Sequence, residues 1–261
     1  MSHLDWPAPT DGALPLLIAH RGASGTRPEN TEAAFRGALA AGVRTWECDV
    51  RLTRDGVPVV LHDAHLERTT DGKGFVREVT LADLRKISAG YRIRFGEEYI
   101  RQRVPTLEET MRLARDEARL LIEIKTDGGD SDRAGLLIRT VVDQVAATGA
   151  FYHTALISFD PAVLVEARRL SADVITGLLV GPMGPAGAAA KAAVIGARFL
   201  IPARTLLNEP FCQAAREASL VLASYSIDDP AQLALLRPFG LYAVATDFPE
   251  RFIGSPEILL A

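Results

Sequence analysis

Nine short, branched apolar runs limit what this chain can fold into: LPLLIAH at 14–20, RTWECDV at 44–50, VPVVLHD at 57–63, RLLIEIK at 119–125, TALISFD at 154–160, VITGLLV at 174–180, ARFLIPA at 197–203, LVLASYS at 220–226 and LYAVATD at 241–247. In most of them the apolar positions are consecutive rather than alternating, the pattern of strands covered on both faces. Helix starts fall between them. Thr106 to Glu109 has the form of a capping box opening LEETMRLARDEA, and Asp160-Pro161 and Asp229-Pro230 each set a side-chain acceptor before a proline. Strands alternating with helices imply a parallel α/β sheet.

One junction breaks that rhythm. Only RLTRDG separates the second and third runs, too short for a parallel crossover but suited to a hairpin turning at Arg54-Asp55-Gly56-Val57. Pairing Arg54 with Val57 sets Asp49 opposite His62. With that arm set aside, eight strands joined by helical segments remain in 261 residues, which suits a (β/α)₈ TIM-type barrel; an open doubly wound sheet is the other topology the pattern allows. The expected fold is therefore α/β, a single barrel domain over 1–261 with a β-hairpin extension of strand 2. The charged, Gly- and aromatic-bearing stretch at about 64–105 is too long for a plain loop, and reads as a small inserted capping subdomain with a short helix near LADLRKIS.

The formal charge of −4, from 29 basic and 33 acidic residues, leaves no electrostatic footprint for nucleic acid. Cys48 and Cys212 form no CxxC pair, so a reducing cytoplasm is the expected compartment. The N-terminal MSHLDWPAPTDGALPLLIAHRG shows neither a basic n-region nor a long h-region, and no apolar run approaches a membrane span, so stable membrane insertion is not expected.

Polar residues gather at the C-terminal ends of the early runs: His20 and Arg21, Glu47 and Asp49, His62, then Glu123 and Lys125. Strand alternation puts Glu47 and Asp49 on one face with Cys48 on the other, and Glu123 and Lys125 likewise share a face. Three carboxylates in one mouth call for a cation, and all-oxygen ligation by Glu47, Asp49 and Glu123 favours Mg²⁺ or Ca²⁺. Arg21 and Lys125 suit phosphate oxygens, and His20 and His62 supply a general acid and base. Together they point to metal-assisted phosphoryl transfer on a small anionic substrate. Asp63 is expected to order the loop after His62, and His3, His65 and His153 to have surface or packing roles. Gly22-Ala-Ser-Gly25 and Gly72-Lys-Gly74 lack the ending of a P-loop and read as turns.

The segments AHRGASGTRPENTEAAF, WECDVRLTRDGVPVVLHDAHLERTTDGKG, VPTLEET and LIEIK, with weaker echoes in ISFDPAVL and VATDFPE, resemble the glycerophosphodiester phosphodiesterases over nearly the whole chain. That resemblance implies a barrel enzyme releasing glycerol 3-phosphate and an alcohol. It implies His20 and His62 as the acid/base pair, Glu47, Asp49 and Glu123 as metal ligands, and Arg21 and Lys125 as phosphate contacts. In the family a neighbouring glycerol hydroxyl is thought to attack phosphorus, leaving a cyclic phosphate that water opens. Two positions depart from the pattern: Tyr225 stands where many relatives carry a tryptophan wall, and Arg204 adds a basic residue after the seventh run. A lysophospholipase D-type or other lipid phosphodiesterase is the alternative, for which Tyr91, Phe95 and Tyr99 are candidates to supply an apolar patch, although aromatics so spaced more often pack internally; a non-catalytic phosphate-binding barrel is the remaining one.

Overall fold

The computed structural model describes residues 6, 14–126 and 130–260; His3 lies outside them. All nine runs form strands: β1 Leu16–His20, β2 Thr45–Leu52, β3 Pro58–Val60, β4 Arg119–Ile124, β5 Thr154–Ser158, β6 Ile175–Val180, β7 Phe199–Pro202, β8 Val221–Ser224 and β9 Ala243–Thr246. Strands β1, β2 and β4 to β9 are joined by parallel pairings, and β9 pairs back onto β1, so the sheet closes as an eight-stranded TIM barrel. Closure leaves only β3 outside, antiparallel to β2.

The helices are α1 Glu32–Ala40, α2 Leu81–Leu84, α3 Arg92–Phe95, α4 Leu107–Ala114, α5 Ser131–Thr148, α6 Pro161–Leu170, α7 Pro185–Val194, α8 Glu209–Glu217 and α9 Ala231–Leu236. Their starts follow the local chemistry. The capping box at Thr106 and Glu109 is formed in both directions, and Asp160 caps α6 with Pro161 at its first position. Asp229 Oδ1 accepts from Ala231 N at 2.9 Å, so the cap acts one residue before the helix proper.

Strand alternation separates two cores. Outward residues such as Trp46, Cys48, Ile122 and Leu156 pack against the helices, while Ile18, Leu121, Ile157, Phe199 and Ala245 fill the barrel interior, with the Trp6 ring tilted against Phe199 at 5.4 Å. Burial of these side chains, at about 25 cal/mol per Å², is the main stabilising contribution. Cys48 and Cys212 are free thiols inside the outer core. Among the described residues no helix is long and apolar enough to cross a membrane.

The hairpin differs from expectation by one residue. Leu52 pairs with Pro58 and Val50 with Val60, and Leu61 N donates to Asp49 O, so Asp49 faces Leu61 rather than His62. The cause is turn length. Thr53 N donates to Val57 O and Gly56 N to Thr53 O, with Gly56 at φ +79°, giving a three-residue loop that ends in a left-handed glycine. Residues 64–105 carry α2, with its own capping box from Thr80 to Asp83, and close a small third core of Leu61, Leu66, Val76, Leu84 and Val104. Arg94 donates to Gly25 O at 2.6 Å and ties this segment to the end of the barrel where β1 stops. Tyr91, Phe95 and Tyr99 stack edge-on at 6.0 and 5.7 Å instead of forming an open patch; the exposed apolar residue beside them is Ile93.

Gly22 fixes how β1 turns into the loop leading to α1. It sits at φ +79°, and a Cβ there would lie 2.6 Å from the carbonyl carbon of Ala34. Gly22→Ala is therefore expected to cost about 2 kcal/mol or more, read as a lower urea midpoint at unchanged slope. An unchanged midpoint would show that this turn can relax freely.

Candidate active site

Parallel pairing sets the site residues side by side at one end of the barrel: His20 is in register with Glu47, and Asp49 with Glu123. Because Glu47 and Asp49 are two apart, both point inward while Cys48 packs outside. Glu47, Asp49 and Glu123 are 4%, 0% and 6% exposed, and one oxygen from each lies within 4.8 Å of the others. Oxygens held at about 2.0–2.6 Å from a single ion fall within that span.

The charges are only partly matched by the chain itself. Arg21 Nε lies 3.1 Å from Asp49 Oδ2, and Lys125 Nζ lies 3.1 Å from Asp49 Oδ1 and 2.6 Å from Glu123 Oε1. Glu47 Oε2 accepts from the backbone N–H of Arg21 at 3.0 Å, but Glu47 Oε1 is buried with no partner. A buried, unpartnered carboxylate oxygen beside two further carboxylates is the arrangement a hard divalent cation completes, so these residues fit such an ion. Burial, then Asp49, pushes the Glu47 carboxyl up to about 8, while Asp49, also buried, is held well below the usual carboxylate range by Arg21 and Lys125. Glu123 is raised by burial and by Asp49.

Each histidine rests on an aspartate. His20 Nδ1 lies 2.6 Å from Asp247 Oδ1, which also accepts from Ser24 Oγ at 3.0 Å, and His62 Nδ1 lies 2.6 Å from Asp63 Oδ1. An ionised carboxylate only accepts, so both Nδ1 atoms carry the proton and both Nε2 atoms are left for other partners. His20 Nε2 is 3.9 Å from Glu47 Oε2. Burial depresses both imidazoles; Asp247 and Glu47 overcome it at His20, whose pKa ends raised, whereas at His62 burial prevails over Asp49 and the pKa ends lowered.

The loop from Arg21 to Thr31 braces these groups. Asn30, at φ +59°, donates from Nδ2 to Asp49 Oδ2 at 2.7 Å, and Glu29 accepts from Arg21 at 2.8 Å and from Arg68 at 2.7 and 2.8 Å. Arg68 also holds Asp63, at 2.6 and 3.0 Å, as the expected ordering of the loop after His62 requires. Tyr225 lies at the mouth with its ring edge-on to Phe159 at 6.4 Å, its hydroxyl pushed up to about 12 by burial and by Glu123. Arg204 is exposed beyond β7, its backbone N–H donating to Tyr225 O at 2.7 Å. His65 stacks on Phe75 at 4.0 Å, a packing role.

Asp247, Ser24, Glu29, Asn30 and Arg68 are given no role by the sequence reading, although Glu29 and Asn30 stand in the PENT segment that carries the family resemblance. Asp247 alone had a signal of the kind used for the others, since it ends the ninth apolar run.

The model of the glycerophosphoryl diester phosphodiesterase family matches residues 20–251. A glycerophosphodiester phosphodiesterase of Bacillus subtilis is 30% identical over 91% of this chain and 85% of its own. One from Caldanaerobacter subterraneus is 49% identical over 112 residues, 42% of this chain and 45% of that relative. The structure of an Oleispira antarctica phosphodiesterase in complex with the product sn-glycerol-3-phosphate superposes with a TM-score of 0.81 at 28% identity, covering 91% of this chain and 95% of that one. The fold and site thus define a barrel of the phosphodiesterase class. The chain belongs to the glycerophosphoryl diester phosphodiesterase family.

A metal-free site of this kind has a pH signature. Between about pH 5 and about pH 8 the folded chain keeps a proton on Glu47 that the unfolded chain has lost, so stability falls as pH rises; His20 acts in the same direction and His62 opposes it. Thermal midpoints in EDTA are expected to fall across that window, and the gain on adding Mg²⁺ or Ca²⁺ to grow with pH. A gain independent of pH would contradict the protonated, ion-deficient state of Glu47.

Proposed function

We propose that this chain hydrolyses glycerophosphodiesters to glycerol 3-phosphate and an alcohol, with a divalent cation held by Glu47, Asp49 and Glu123. The observation that carries this reading is the buried, unpartnered Glu47 Oε1 beside Asp49 and Glu123, facing two aspartate-oriented histidines across one mouth. Mg²⁺ or Ca²⁺ bound there would supply Lewis-acid charge for the phosphate oxygens. Arg21 and Lys125, now engaged with the carboxylates, would turn a fork and a point charge to the phosphate.

His20 and His62 each offer Nε2 to the substrate, one to take a proton from the attacking oxygen and one to give a proton to the leaving alcohol. Their opposite displacements favour His20 as the proton donor and His62 as the acceptor in the first step. Asp247 and Asp63 hold the rings in the tautomer this needs. Tyr225 and Phe159 would form an apolar wall for the substrate, and residues 64–105 would cap the mouth of a single-domain, cytoplasmic enzyme. The exposed Ile93 on that cap favours a second reading, a longer lipid-like diester as substrate.

Release of glycerol 3-phosphate from glycerophosphocholine and glycerophosphoethanolamine, measured with EDTA, Mg²⁺ or Ca²⁺, tests the reaction directly. Turnover is expected only with metal, and His20→Ala or His62→Ala should each lower kcat about 10²- to 10⁴-fold at a nearly unchanged thermal midpoint. Wild-type turnover in both variants would overturn the two-histidine mechanism. Silence on both substrates, with hydrolysis of a lysophospholipid headgroup instead, would move the assignment to the lipid reading.

A further inference from the structure

We propose that the groove between α1, α4 and the end of the inserted segment is a second ligand site, binding a soluble, compact anion that carries two or more phosphate groups. The groove encloses about 500 Å³, within the range of small-molecule sites and too large for a lone phosphate. Five arginines line it: Arg36 from α1, Arg112 from α4, and Arg85, Arg101 and Arg103 from the inserted segment. Two lining glutamates oppose them and Glu108 pairs with Arg112, leaving an excess of two positive charges at one place in a chain whose net charge is −4. None of the lining residues belongs to the carboxylate and histidine cluster at the barrel mouth.

The guanidinium groups are available. Arg36, Arg85 and Arg112 are held by Glu32 at 2.7 Å, Glu109 at 2.6 Å and Glu108 at 2.6 Å in solvated pairs, the kind that exchange partners at little cost. Arg103 Nη1 donates only to the carbonyls of Ile100 and Gln102, and Arg101 makes no ion pair among the described residues. Guanidinium forks brought together from α1, α4 and the inserted segment match an anion with more oxygens than a single carboxylate or phosphate presents. None of the exposed large apolar side chains among the described residues lines the groove, so nothing there would enter a lipid surface, and a soluble anion is the occupant. Such a ligand would also fasten the inserted segment to the barrel at the point where Gln102 Oε1 accepts from Ala33 N at 3.2 Å.

Isothermal titration of the full chain with pyrophosphate in EDTA tests the site, since without metal no cation can bridge the probe to the carboxylates of the mouth. One saturable site is expected. The exposed double variant Arg101→Glu/Arg103→Glu should bind about tenfold more weakly or worse, and Arg36→Glu/Arg112→Glu on α1 and α4 should do the same, while Lys125→Ala at the mouth binds as the wild type. No saturation at millimolar probe, wild-type affinity in Arg101→Glu/Arg103→Glu, or binding lost with Lys125→Ala alone would each overturn the proposal.

Discussion

Three carboxylates held within 4.8 Å of one another at the dry end of a closed barrel create a charge problem that the surrounding structure is arranged around. The barrel makes the problem unavoidable. Parallel register sets Asp49 beside Glu123, and the two-residue strand period adds Glu47 on the same face. Arg21 and Lys125 hold the Asp49 carboxyl low, while burial and Asp49 raise that of Glu47 against the opposing pull of His20 and Arg21. A buried carboxylate cluster so arranged is compatible with a small, doubly charged ion.

Around that centre the chain spends its other polar groups on orientation. Asp247 comes from the end of β9 and Asp63 from just beyond β3, yet both make the same bond to an Nδ1, so two histidines from different strands present equivalent nitrogens. Glu29 and Asn30 then connect the loop after β1 to both halves of the mouth, one through Arg21 and Arg68 and the other through Asp49. The turn that allows this uses left-handed backbone at Arg21, Gly22 and Asn30 in close succession. Such a loop is held in place by its contacts and not by local preference.

What was legible in the sequence follows from the range of the physics involved. The nine strands were readable because each is an apolar run bounded by turn or cap residues, and the seven clustered polar residues because strand ends carry them to one rim. The hairpin register was not, since one extra loop residue closed by Gly56 shifts every pair downstream and leaves the alternation of the flanking strands unchanged. Asp247 and Arg68 were missed because their partners lie 227 and 39 residues away, and an aspartate or arginine in isolation reads as solvated surface. Asp63 was readable because it adjoins His62 in the chain. Tyr91, Phe95 and Tyr99 have the spacing of aromatics that pack internally, and the folded segment shows them packed edge-on against one another.

The central claim is that a divalent cation completes the cluster of Glu47, Asp49 and Glu123. Anomalous diffraction from crystals soaked in Mn²⁺ tests it most directly. One peak bonded to an oxygen of each of the three carboxylates, with Glu47 Oε1 among the ligands and Lys125 Nζ drawn away from Asp49, is the result this account predicts. A map with no peak there, or with the ion seated elsewhere while Lys125 keeps its contact to Asp49, would contradict it.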